Sequence, residues 1–303
     1  MIRTKILPIL VVPALLFIVS FVIYWVISFQ FSYELGTYFI FLLTTIYILL
    51  FERIIPFNSE WKVKKESTKI EIKHFLFSTA IVDALTNTLS LSLVLYLKTT
   101  VFDTMIDWEI LPFWMSLILA AVIGEFFPYV YHRYSHIGNI TSKPSIFFWK
   151  IHSIHHIPTS INWFKTNWIH PLNTFFNVVF KMLPLLILGF NEEILFIIGI
   201  INIVVGYLSH ANIEAKTGIL DYIIITPKLH HFHHSIKMEE ARNYGNTLPF
   251  WDLVFNTYYN RKGSIDNVGV SKSEYLQYPD INNYMKQLLF PFQTKECCKL
   301  RKS

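Results

Sequence analysis

The sequence predicts an all-α polytopic membrane bundle of about four full spans plus a short helical hairpin, topped by a cytosolic histidine-rich helical cap. Three observations predict it. Hydrophobic residues make up 53% of the 303 and charged residues only 16%, where soluble domains carry about 25% charge. Uncharged runs of spanning length recur along the chain. Of the 12 histidines, only His74 precedes residue 132.

Residues 6–29 carry no charge over 24 positions, enough to cross a bilayer. The run is too long for a signal-peptide core, and no small-residue cleavage site follows. A second run covers about 35–51. A third, 75–97, holds one acid, Asp83. A fourth, 110–131, holds one acid, Glu125. Two shorter runs, 172–190 and 194–208, flank Asn191, Glu192 and Glu193. They are marginal spans, and a hairpin of short or partly re-entrant helices fits them.

Loop charge gives the orientation. Arg53, Lys62, Lys64, Lys65, Lys69 and Lys73 crowd 53–73, whereas 30–34 has no cation and 98–109 sets Lys98 against Asp103, Asp107 and Glu109. By the positive-inside rule, 53–73 is cytoplasmic. Both termini then lie in the cytoplasm, as do 132–171 and 209–303. The expected membrane is a bacterial inner membrane, or the endoplasmic reticulum in a eukaryotic host.

The net charge of +5 is spread over loops and the C-terminus. That suits membrane topology, not nucleic-acid binding, which gathers basic residues on one folded face. Cys297 and Cys298 are adjacent. They read as ordinary thiols in a reducing compartment, or as a lipidated pair in a basic tail.

The histidines carry the chemistry. They cluster as His132 and His136 in HRYSH, His152, His155 and His156 in HSIHH, and His230, His233 and His234 in HHFHH. On a helix, residues i, i+3 and i+4 share a face. Adjacent members diverge by about 100° and can reach two metals. These clusters offer eight imidazoles, and His210 adds a ninth at the end of the sixth run. Four ligands complete one zinc site, so the count argues for two metals. Imidazole suits iron, zinc, copper and nickel. His74 and His231 read as core or surface residues.

The motifs resemble the membrane fatty acid hydroxylase and sterol desaturase superfamily: His-x3-His, then His-x2-His-His twice. FFWKIHSIHH, IHPLN (His170 to Asn173), LSHANI (Leu208 to Ile213), TPKLHHFHH and NYGNTLPFWDLVFNTYY (Asn243 to Tyr259) resemble its flanking segments. The likeness covers about 110–260. Trp168 and Asn256 depart from an arginine and a glycine usual there. The chain so divides into spans with a basic loop (1–109), a hydroxylase-like catalytic region (110–260) and a cytoplasmic tail (261–303).

The resemblance implies a di-iron centre, with zinc a substitute in purified protein, that hydroxylates or desaturates a lipid using O2. Carried over by motif, the ligands are His132, His136, His152, His155, His156, His210, His230, His233 and His234. Three further residues are candidates to support them: Glu125, seven residues before His132; His170; and Asp252, beside Trp251. Glu125 and Asp252 could each orient a ligand imidazole, and each has a plain alternative, helix pairing for Glu125 and a turn cap for Asp252. Asp83 and Asn87 form a polar stripe that reads as helix–helix bonding. No flavin, nicotinamide or haem motif is present, so a separate ferredoxin- or cytochrome-type donor with its reductase is expected. A membrane metal transporter, a metal-dependent hydrolase and a non-catalytic family member are the competing readings.

Overall fold

The computed structural model describes residues 5–61, 65–100, 108–137, 143–263, 265, 267–270 and 277–293. Cys297, Cys298, Lys62, Lys64, Asp103 and Asp107 lie outside them.

Among the described residues, six helices are long and apolar enough to cross a membrane. The first two, α1 (Leu7–Ser28) and α2 (Tyr33–Ile54), form a hairpin. Pro8 starts α1, where its missing N–H costs nothing. The Ser32 hydroxyl caps α2 by accepting from the Leu35 amide at 3.2 Å. The third span runs without a break from α3 (Lys65–Lys73) through a π-helical stretch, His74–Ala80, into α4 (Ile81–Thr100). It therefore starts earlier than residue 75, and much of the expected basic loop is helix. The reason is that KESTKIEIK is amphipathic: Ile70 and Glu71 are buried while Lys69 and Lys73 stay exposed.

The fourth span, α5 (Phe113–Ile137), includes His132 and His136 in its own last turns. A separate helix, α6 (Lys143–His156), ends on the second histidine cluster. The hairpin is α7 (Pro171–Leu188) and α8 (Glu192–Ser209). Each has 18 residues, about 27 Å of helix, close to a full crossing. Gly189, at φ 81, stops α7 in the left-handed region. Asn191 caps α8 by accepting from the Ile194 amide at 3.0 Å, with Glu192 and Glu193 in the first turn. Three short helices follow: α9 (Pro227–His233), α10 (Phe250–Val254) and α11 (Tyr284–Leu289). Among the described residues there are isolated bridges but no strands.

The buried apolar core lies between α1, α2 and α8, and a second cluster joins α5, α7 and α8. Large side chains such as Phe17, Phe21, Tyr38, Leu89 and Ile118 point outward. An outward apolar surface is what lipid requires of a span. The chain is an integral, multi-pass membrane protein with its histidine-rich helices gathered at one end of the bundle.

Candidate metal centre

Four helices, α5, α6, α8 and α9, deliver their histidines from their C-terminal ends. A helix C-terminus carries partial negative charge, so the main chain itself favours a cation there. His210 and His234 are the C-caps of α8 and α9.

The nine imidazoles, all buried, fall into two groups. His132, His136, His152, His156 and His233 form one, and His155, His210, His230 and His234 the other; within each, the donor atoms lie within 4.8 Å of one another. Adjacent histidines split between groups: His155 from His156, and His233 from His234. The 100° step of a helix does this. His156 and His234 stack at the junction, with ring centroids 4.3 Å apart.

The hydrogen bonds fix where the lone pairs point. His132 Nδ1 donates to the Tyr244 carbonyl at 2.7 Å, and His233 Nδ1 to the Arg242 carbonyl at 2.8 Å. A neutral imidazole donating from Nδ1 presents only a lone pair at Nε2. Yet these two Nε2 atoms lie 3.0 Å apart. The other group repeats the pattern. His155 and His210 donate from Nδ1 to the carbonyls of Trp168 and Gly206, each at 3.0 Å, and their Nε2 atoms also face each other at 3.0 Å. Facing lone pairs repel unless positive charge lies between them.

A proton is a poor candidate for that charge. Burial pushes His155 down to about 4. Burial first, and neighbouring histidines next, hold His152, His156, His210, His230, His233 and His234 well below the usual range. These imidazoles are neutral at physiological pH, which is the form that binds metal. Closest Nε2–Nε2 separations run from 2.9 to 3.1 Å. Nitrogens each about 2.1 Å from one ion would stand about 3.0 Å apart at right angles and about 3.4 Å apart in a tetrahedron. The closest pairs stand near the spacing of two ligands on one ion, and all donors of a group lie within 4.8 Å of one another.

Residues around the histidines hold them in place. His152 Nδ1 donates to Asn173 Oδ1 at 3.1 Å, which also accepts from the Tyr131 hydroxyl at 3.0 Å. Asp252 bonds no imidazole. It accepts from the Tyr244 and Gly245 amides, both at 2.8 Å, and so holds the carbonyl that clamps His132. Glu125 also bonds no imidazole. It pairs with Lys181 at 3.0 Å and accepts from the amides of Asn246 and Thr247 and from the Thr247 hydroxyl.

The remaining candidates are structural. The His170 ring caps α7: Nδ1 accepts from the Leu172 amide and Nε2 donates to the Leu288 carbonyl, both at 3.1 Å. His231 Nε2 donates to the Ala211 carbonyl at 3.1 Å, and its ring packs on Phe57 and Trp61. His74 lies between the Ile169 carbonyl and Gln287 Oε1, stacked on Trp168. Asn87 bonds Asp83 within the same helix, at 3.0 Å, rather than a neighbouring one.

Sequence reasoning missed two acids with roles like that of Glu125. Glu52 of α2 accepts from the amides of Trp163 and Asn212, both at 2.8 Å. Glu71 of α3 pairs with Lys165 at 2.6 Å. Each of three spans thus grips the histidine-bearing loops through one carboxylate. The available signal was an acid within or beside an apolar run.

The two departures from the family motif are now explained in part. Asn256 has φ 55, the left-handed region that glycine fills easily and asparagine tolerates better than most. Trp168 contributes its carbonyl to His155, which any residue could do, and its ring to the stack on His74.

Apolar spans beneath two buried imidazole groups define a polytopic membrane protein with a histidine cluster able to hold metal. Residues 117–257 match the fatty acid hydroxylase family, which, with the relatives that follow, supports membership of the fatty acid hydroxylase and sterol desaturase superfamily. An ornithine lipid hydroxylase of Rhizobium tropici is 28% identical over 263 residues, covering 84% of this chain and 75% of the relative. A methylsterol monooxygenase of Rattus norvegicus is 26% identical, covering 67% of this chain and 68% of the relative. No solved structure matches significantly.

Proposed function

We propose that the chain is a di-iron oxidoreductase that hydroxylates or desaturates a membrane lipid with O2. The observation that carries this reading is the convergence of nine buried imidazoles, five in one group and four in the other. Nine imidazoles exceed what one tetrahedral zinc takes, and imidazole suits iron. Two irons there would supply the reductive activation of O2 needed to attack an unactivated C–H bond. The chain's own residues do the rest. Main-chain carbonyls fix the Nε2 donors, Asn173 sets His152, and burial excludes water from the site. Such a site needs no further acid or base.

Electrons come from a separate carrier of ferredoxin or cytochrome type. Both termini and the histidine helices lie on the cytoplasmic side, on the loop-charge argument. A metal transporter fits less well, because its ligands would lie near mid-span and these lie at helix ends. The relatives' names order the substrates to test: an amino-acid-containing lipid first, then a methylated sterol. Purified protein with a reductase and donor would be incubated with each lipid under O2 and under argon, and the products weighed. A gain of one oxygen or a loss of two hydrogens that requires O2 supports the reading. Conversion that proceeds under argon with addition of water would replace it with a metal-dependent hydrolase.

A further inference from the structure

We propose that the segment Leu248–Asn256, around α10, lies within the bilayer with its apolar face against lipid acyl chains. It is then a re-entrant flank of the cap, although it follows the last span and loop charge assigns it to the cytoplasm.

Its depth can be read along α5. Trp251 Nε1 donates to the Val122 carbonyl at 2.9 Å, and its ring packs on Phe126. One turn on, Phe255 stacks on Tyr129 with centroids 5.5 Å apart, and the Arg133 guanidinium sits over it at 5.9 Å. The segment therefore runs beside α5 from residue 122 to residue 133. The span Phe113–His136 has 24 residues, about 36 Å of helix around a hydrocarbon core of about 30 Å. Val122 is about 13 Å from its outer end and about 21 Å from its inner end. Whatever faces away from α5 at that level faces lipid. Phe250, Leu253 and Val254 do so, each more than 40% exposed. They continue the outward surface of Phe127 and Val130 on α5 itself.

The composition agrees. Asn246 to Asn256 contains one charge, Asp252, which is fully buried. Asp252 turns inward to the Tyr244 and Gly245 amides and to the Thr257 hydroxyl. Its partners satisfy it, as polar groups at membrane depth require. Gly245 permits the close approach: a Cβ there would meet the Leu248 carbonyl oxygen at 2.1 Å. The same helix thus presents lipid-compatible residues outward and, inward, holds the loop whose carbonyl clamps His132.

The test is spin-label accessibility of the full chain in lipid nanodiscs, in a Cys297→Ser, Cys298→Ser background. Labels go on Val254→Cys, on Val130→Cys as a lipid-facing reference, and on Lys262→Cys as a solvent-facing one. The Val254 label should match the Val130 label, with collisions with O2 severalfold more frequent than with a water-soluble nickel complex. A Val254 label as open to nickel as the Lys262 label overturns the proposal. Leu253→Cys, read the same way, decides the matter if the Val254 variant misfolds. Neither outcome depends on bound metal or on the reaction, so the proposal and the functional reading can fail separately.

Discussion

The two histidine groups differ in number and in how they are held. The group of five takes its imidazoles from α5, α6 and α9, and its clamps are Tyr244, Arg242 and Asn173. Two of those clamps sit in the loop that Asp252 and Glu125 pin. The group of four takes its imidazoles from α6, α8 and α9. Its clamps are the Trp168 carbonyl and the Gly206 carbonyl inside α8 itself. One group thus rests on buried side chains that tie a loop to the spans. The other rests on two main-chain carbonyls, one in a loop and one inside a span. Five ligands would leave less room around an ion than four, so an ion held by the group of four would have more open positions for a reacting molecule.

The contrast is sharpest at the Glu125–Lys181 pair. Replacing Lys181 with Met strands a buried carboxylate, which typically costs about 3–5 kcal/mol. Thermal unfolding should show that loss, and the double variant Glu125→Gln, Lys181→Met should recover part of it. Metal should leave the group of five first. Equal loss from both groups would break the comparison.

A smaller effect is expected at Asn173. Asn173→Leu removes the acceptor that orients His152 and should weaken metal binding at the group of five by about 10–100-fold. Competition with a chelator measures this, and the group of four should be unchanged. The smallest effect concerns His170. His170→Ala removes the α7 cap and should cost about 1 kcal/mol of stability with metal content intact. Loss of metal in that variant would place His170 nearer the centre than its bonds to Leu172 and Leu288 indicate.

The bundle was legible because lipid imposes length and composition on spans, and these are readable without partners. The histidine boxes were legible because helical periodicity converts spacing into direction. Their supports were less so. Tyr244, Arg242, Trp168 and Gly206 act through carbonyls, which leave no side-chain signature. Glu52 and Glu71 sit among or beside the cations of 53–73, and only the fold shows Glu52 meeting Trp163 and Asn212, and Glu71 meeting Lys165. Glu125 stood out as a charge inside an apolar run, but its partner Lys181 is 56 residues away, beyond the reach of spacing arguments. The α10 segment was hidden for a different reason: it is too short for a span, and its single acid masks an otherwise apolar face.

The most direct test of the account is the metal content of the purified full-length protein, prepared with iron supplied and O2 excluded, beside His155→Ala and His233→Ala. The two variants probe different groups. About two irons per chain, falling to about one in each variant, is the predicted result. One zinc or no metal per chain, unchanged by either substitution, would contradict it.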